Sequence, residues 1–428
     1  MNRDARHPSA THADPGWRRA TQALSNTEFR RVFVGNMAFF LGMGGQSVVR
    51  PWIAYELTDS PFALGIIAGG MAIPMFFLSP LGGALADRVE RRGLIVFAQL
   101  LAIATEAAIL GLYATDRIEF WHLVVASAFL GTCFPLMMPA RTAIIFDLVG
   151  RREAGGAVGL NMTGVNATRV IGPAGAGLTI AQWGVVNAYL VGLGLYAVAL
   201  ISMMTVRRLP PPATAVRVPL LQNMTDGFRY LNKDRFVAVL LLFGLVPQFL
   251  AMPFMNIMPA FAEDVWHVGA DGFGILSAAT GLGAVTGSFY VAGRRQEARR
   301  LPMMMASVIA FGALLIAFSA SPWFWPAVLL SALANVGASI FSTLNNVAIQ
   351  LVIPDDVRGR VSSFLMMSVS LPLLGALPMG WVAEQIGPPL AVAGAAAVAI
   401  VAAAGFYVAS PKLRGLDDRV RAALDAHS

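Results

Sequence analysis

Between Val32 and Val408 the chain is a succession of apolar runs, each about twenty residues long, broken by short stretches in which arginine collects. About twenty apolar residues are what a helix needs to cross the ~30 Å hydrocarbon core of a bilayer. The runs fall at 32–55, 62–85, 94–115, 121–146, 157–181 and 185–206, then at 236–262, 273–292, 301–319, 323–351, 361–383 and 390–408. The expected fold class is therefore an all-α membrane protein of twelve transmembrane helices, arranged as six plus six.

Composition supports a solvent other than water. Only 13% of the 428 residues are charged and 57% are hydrophobic, against about 25% charged in soluble domains. The net charge of +7 does not indicate nucleic acid as a partner, because the basic residues form no stripe. They sit between the runs. With the N-terminus placed in the cytoplasm, 28 of the 31 basic residues fall on the cytoplasmic side. Arg117 alone falls outside, and Arg50 and Arg169 fall within runs. This bias orients both termini to the cytoplasm of an inner, cytoplasmic membrane. Residues 1–31 are polar and basic with no apolar core of a signal peptide, so no removable signal is expected. A single cysteine, Cys133, leaves no intrachain disulfide to form.

The expected organisation is a cytoplasmic tail at 1–31, a six-helix bundle at 32–206, a linker at 207–235, a second bundle at 236–409 and a cytoplasmic tail at 410–428. In the linker, Pro210, Pro211 and Pro212 end the sixth run. Leu220, Leu221, Met224, Phe228 and Leu231 then recur at helical spacing, which predicts an amphipathic helix on the membrane surface. A shift of 203 residues lays Gly172 and Gly177 on Gly375 and Gly380. A repeat that keeps its direction implies two halves about an axis along the membrane normal, with a substrate site between them.

After the second run stands Gly83-Ala-Leu-Ala-Asp87-Arg88-Val-Glu-Arg91-Arg92. This resembles the loop signature of the major facilitator superfamily, and it lies after the expected helix. The fifth run carries Gly164 and then Gly172-Pro173-Ala-Gly175-Ala-Gly177, which resembles the Gly-Pro element of that family's exporters. The stretch from Pro139 through Arg141 to Asp147, followed by Asn166 and Arg169, is similar to bacterial exporters of the enterobactin-efflux kind. The resemblance implies secondary active transport of a small molecule and proton-linked export by alternating access. Two span arginines, Arg50 and Arg169, against one deep acid, Glu106, favour an anionic metabolite or siderophore as cargo, and the expected working unit is a monomer. The resemblance also implies that Asp87 contacts the eleventh span and an arginine of the fourth, here Arg141, to hold the outward-facing state. The second-half copy near Gly287 to Arg295 has Val291 where the acid should stand.

Charged and amide groups inside spans need partners or a cavity. Arg50 either meets an anionic substrate group, snorkels toward Glu56, or pairs with Glu106. Arg169 either serves gating or substrate, or pairs within the first half. Glu106, the one acid deep in a span, is a candidate to carry protons, since burial favours the neutral carboxyl. Gln46, Asn161, Asn166, Asn335, Asn345 and Asn346 are further polar positions, either helix glue or cavity lining.

Catalysis has no support. His7, His12, His122, His267 and His427 lie in tails, loops or span ends, and no His-Glu-x-x-His or Gly-x-Ser-Gly element occurs. Lys233 and Lys412 are the only lysines and neither follows a phosphate-binding glycine loop. Neither a metal nor a cofactor is implied. The alternatives kept are a multidrug exporter of lipophilic cations, proton-coupled uptake, and a non-transporting sensor or scaffold, which a blocked cavity would favour.

Overall fold

The computed structural model describes residues 23–86, 88–208, 229, 234–293, 299–353 and 367–425, and every regular element among them is helical. The long elements are α1 (Thr27–Thr58), α2 (Pro61–Ala86), α3 (Arg91–Ala114), α4 (Phe120–Met204), α5 (Arg235–Leu250), α6 (Gly269–Ala292), α7 (Arg300–Ser319), α8 (Phe324–Val352), α9 (Leu371–Ile386), α10 (Pro388–Ala409) and α11 (Leu416–Asp425). Local sequence sets their starts. Asn26 caps α1 by accepting from the Glu28 and Phe29 amides at 3.0 and 3.3 Å, which satisfies donors that the first turn leaves orphaned. Asp234 does the same for α5 through the Phe236 amide at 3.0 Å. Pro61 and Pro388 open α2 and α10, at positions whose amide has no helical partner.

The element α4 is not straight. Gly150 (φ 74°) and Gly184 (φ 80°) take left-handed backbone inside it, which glycine adopts without the steric cost of a Cβ. They divide α4 into α4a (120–149), α4b (151–183) and α4c (185–204). The run at 236–262, expected as one helix, is instead broken. The regular helix α5 ends at Leu250, and a 3₁₀ turn (Met252–Ile257), a short α turn (Met258–Ala260) and a π turn (Phe261–Val265) complete the tip. Pro253 and Pro259 remove backbone donors there, which a continuous helix does not tolerate.

Ten described stretches are long and apolar enough to cross a membrane. One of them, Glu153–Met204, contains the Gly184 break, while α9 has 16 described residues. Large apolar side chains such as Phe77, Trp183, Phe289 and Val408 are exposed on the outer surface of the bundle, where lipid is the natural solvent. The final run extends into packed structure rather than a free tail. Leu413, Leu416 and Val420 are buried, Asp417 accepts from the Arg300 amide at 2.7 Å, and Arg419 pairs with Asp234 at 2.6 Å.

The chain reverses direction at each turn, so Asp59, Asp116, Glu119, Asp264 and Glu384 share one end. Arg91, Arg92, Arg207, Arg235, Arg299 and Arg414 share the other. The glycines matched by the 203-residue shift make corresponding contacts. Gly172 packs against Leu41 and Gly44 of α1, and Gly375 packs against Phe249 of α5. Gly177 meets Gly274 of α6, and Gly380 meets Pro61 at the start of α2. The predicted amphipathic helix of the linker lies outside the described residues.

Candidate functional site

Helix α1 is the spine of the site. At Arg50, 7% exposed, it sends a guanidinium into the bundle, where Nη2 donates to Oε1 of Glu106 on α3, which is fully buried. Tyr189 and Tyr196 of α4c stand near this pair. Of the expected partners for Arg50, Glu106 is the one found, and the arrangements Arg50–Glu56 and Glu106–Arg169 do not form. Removing one member of such a pair costs about 3–5 kcal/mol, because the other charge is stranded out of water.

About three to four turns of α1 toward the basic end, Arg141 of α4a is 3% exposed. Its Nη1 donates to Oδ1 of Asn36 on α1, and Asn36 Nδ2 donates to Oδ1 of Asn161 on α4b at 2.8 Å. The guanidinium also lies over the Phe39 ring, 4.1 Å from its centroid. Sequence reasoning gave Arg141 a carboxylate partner. The bonds seen go to an amide, and Asp87 lies outside the described residues. Among the rest of the loop signature, Gly83 sits within α2 and Arg88 is exposed in the turn that follows. Arg91 pairs with Asp147 at 2.6 Å, and Arg92 donates to the Met203 and Met204 carbonyls at 3.3 and 2.6 Å. These bonds tie the end of α4c and the end of α4a to the start of α3.

Arg169 is exposed and makes no ion pair among the described residues. Helical steps of 100° fix its direction. Gly164, Thr168 and Gly172 face α1, while Val170 and Gly177 face α6. Ile171 and Leu178 are exposed on the outside. Arg169 falls opposite Ile171 and Leu178, on the arc between α1 and α6, so it faces the space between the two sets of helices. Asn166 is half-buried near the same arc. The Gly-Pro element has a packing role. Pro173 touches Gly44 and its carbonyl faces Gly274, and a methyl group on Gly177 would stand 2.7 Å from the Gly274 Cα. Gly164 gives room to Met37 and Phe33 of α1.

The amides divide. Asn335 is buried and donates to the Ser331 carbonyl at 3.0 Å, Asn345 is buried against Gly244, and Asn346 is exposed. Gln46 is 3% exposed and neither of its amide atoms finds a partner. Each buried polar atom left so costs about 1–3 kcal/mol.

Gln46, Ser47 and Arg50 line a cavity of about 160 Å³ with Met71, Met137 and Tyr196. Asn256 of the broken tip and Leu373 of α9 close it from the other side. At the acidic end, contacts cross between the two sets of helices. Tyr55 donates to Asp264 at 2.5 Å, Ser60 Oγ donates to Glu384 at 2.8 Å, and the Phe62 amide donates to the same carboxylate at 3.2 Å. Asn36, Tyr55, Tyr196, Asp264 and Glu384 are site residues that sequence reasoning missed. Asn36, a polar position within an apolar run, was a readable signal. No His, Cys, Asp and Glu cluster fit for a metal occurs among the described residues.

A polytopic helical bundle with a cavity walled from two sets of helices and latched at one end defines a major facilitator transporter. More narrowly, the chain belongs to the transmembrane secretion effector family, whose model matches residues 19–427. The enterobactin exporter EntS of Shigella flexneri is 27% identical over 372 residues, covering 84% of this chain and 86% of that protein. Among solved structures, the nucleoside transporter NupG superposes with a TM-score of 0.71 at 14% identity, covering 89% of this chain and 98% of that one. A bacterial homolog of the human lysosomal transporter Spinster, inward-facing and unoccupied, gives 0.66 at 16% identity over 96% and 98%. These likenesses show the fold.

Proposed function

We propose that the chain exports an amphiphilic anion, siderophore-like in character, in exchange for protons, by alternating access between two six-helix halves. The halves are α1 to α4c and α5 to α10, which counts twelve spans with α4 divided at its two glycines. The corresponding contacts of Gly172 and Gly177 with those of Gly375 and Gly380 support this pairing. The basic end lies in the cytoplasm, and the latch at the acidic end then marks an inward-facing state of the inner membrane protein. The tails 1–31 and 410–428 and the linker 207–235 lie on the same side.

The observation that carries the reading is the buried Arg50–Glu106 pair beside the cavity. A carboxylate that deep binds a proton readily once its cation is drawn away. Protonation of Glu106 frees Arg50, which links proton binding to what occupies the cavity. With Glu106 spoken for, Arg169, which has no ion pair among the described residues, favours an anionic cargo. The curated relatives named as enterobactin exporters support siderophore cargo and the outward direction.

Reconstituted vesicles test this. Siderophore efflux should collapse when the proton gradient is dissipated, and Arg169→Ala should lower it at least about tenfold, the equivalent of 1.4 kcal/mol. The methionines of the cavity wall favour a second reading, an exporter of lipophilic cations, since such side chains adapt to varied ligands. Transport of cations that Arg169→Ala leaves unchanged would establish that reading instead.

A further inference from the structure

A second cavity opens on the outside of the first set of helices, between α4b and α4c, with α1 as its floor. Its volume is about 140 Å³, and it runs from Ile171 to Thr179 on α4b and from Ala188 to Leu195 on α4c. At 1.5 Å per residue that is about 10–12 Å, lying along the helices and so along the bilayer normal. Glycine makes the room. Gly42 and Gly45 of α1, Gly172 and Gly175 of α4b, and Gly192 of α4c all line it. Nothing lies within 4 Å of a Cβ built on Gly175.

This crevice is continuous with the surface that faces lipid. Ile171 and Val191, two of its lining residues, are 58% and 54% exposed. Leu178 and Leu190 extend the same apolar surface to either side. A groove left unfilled deprives its walls of dispersion contacts, and an apolar space of ~150 Å³ holds a molecule the size of benzene. In a bilayer the material at hand is acyl chain, which runs in the same direction as the crevice.

The two ends of the crevice are set by sequence. Thr179 and Ala188 stand about 6–8 Å from the reversal at Gly184. Trp183, beside that reversal, is 64% exposed, as suits an anchor at the membrane–water interface. From Val170 to Val206 the chain has no charged side chain, and the carboxylates of Asp59, Asp116 and Glu119 lie at this end of the bundle. An anionic headgroup is repelled there, and a zwitterionic one is not. On the inner side, Gln46 packs against Gly192, its amide nitrogen 2.6 Å from where a Cβ would stand. Among the described residues, Gln46 is the one that lines both this crevice and the cavity bordered by Arg50.

We propose that the crevice holds one acyl chain of a zwitterionic phospholipid from the leaflet at the acidic end, separated from the transport cavity by the Gln46 side chain. This goes beyond the transport reading and needs only that the bundle spans a bilayer.

Photolabelling of the full chain in phosphatidylcholine nanodiscs tests it. A phosphatidylcholine carrying a diazirine midway along one chain should label residues 171–179 or 188–195 at least about tenfold more than Val398 and Val401, which are exposed on the outside of α10. Gly175→Phe, which fills the mouth, should cut crevice labelling at least about tenfold and leave Val398 and Val401 as in wild type. Val191→Trp, on the rim, should do the same where the phenylalanine variant fails to fold. Phosphatidylglycerol with the same chains should label the crevice more weakly. Crevice labelling no stronger than at Val398 and Val401, labelling that a folded filled variant retains, or equal labelling by the two lipids would each overturn the proposal. Labelling needs neither cargo nor gradient, so siderophore efflux that persists beside such a result would leave the export reading standing alone.

Discussion

The Tyr55 hydroxyl donates to Asp264 at 2.5 Å, joining the tip of α1 to the broken tip beyond α5 across 209 residues of sequence. Beside it, Glu384 accepts from Ser60 and from the Phe62 amide. Both carboxylates belong to the second set of helices and all the donors to the first. Hydrogen bonds to charged groups contribute about 1.5–3 kcal/mol each, so these bonds hold the acidic end shut. Tyr55→Phe with Glu384→Gln should therefore open it. In a Cys133→Ser background, a cysteine introduced at Asn256 should react with an impermeant maleimide at least about tenfold faster in the double variant. An unchanged rate would show that packing alone closes this end.

The buried pair makes a different prediction, on stability. Arg50→Met alone should cost about 3–5 kcal/mol, since it strands Glu106. Arg50→Met together with Glu106→Leu should recover most of that loss, because apolar side chains of similar volume replace a buried pair at little net cost. Thermal unfolding in detergent reads both. The double variant should reach the membrane yet show flux that ignores the proton gradient. Full coupling in it would remove the pair from the mechanism.

The contact between Gly177 and Gly274 leaves no room for a side chain, while nothing lies within 4 Å of a methyl group on Gly175. Overpacking of this kind costs about 1–3 kcal/mol. Gly177→Val should slow transport at least several-fold at unchanged helix content, and Gly175→Ala should behave as wild type. Equal effects at the two positions would mean that the Gly-Pro element acts through the flexibility of α4b rather than through its seat on α6.

For the loop signature, Asp87→Asn should reduce flux strongly while the protein still reaches the membrane. Arg141→Gln should in addition destabilise the fold, because it breaks the bond to Asn36 and the stack on Phe39. Flux assays paired with unfolding curves separate the two effects. Wild-type flux in Asp87→Asn would reduce that acid to a solvated loop charge.

Much of this was legible in the sequence because lipid leaves so strong a mark on it. Runs of twenty apolar residues and the siting of arginine give the helices and the charged ends directly. Several boundaries agree within a few residues, as at α1, expected from 32 and found from Thr27, whereas the run expected at 361–383 meets a described helix only from Leu371. The broken tip was misread because the run at 236–262 was judged by hydropathy, which treats Pro253 and Pro259 as compatible with a span, whereas a helix needs their missing amides. Arg50 and Glu106 were each recognisable as charges in need of a partner. Which partner each takes is a matter of helix packing over 56 residues of separation. The same holds for Arg141 and Asn36, 105 residues apart, and for the latch, whose members look like ordinary loop-end polar residues until the tips meet.

The chain has one thiol, and Cys133 stands 4% exposed in the wall of the cavity. Burial in an apolar wall makes such a thiol slow to react. A small alkylating reagent that does enter the cavity would report through one atom, without an engineered label and without background from other cysteines. A bound cargo would slow that reaction in proportion to the fraction of molecules filled. The same placement is a liability, since one small electrophile at Cys133 would occupy the space the cargo needs and silence the transporter stoichiometrically.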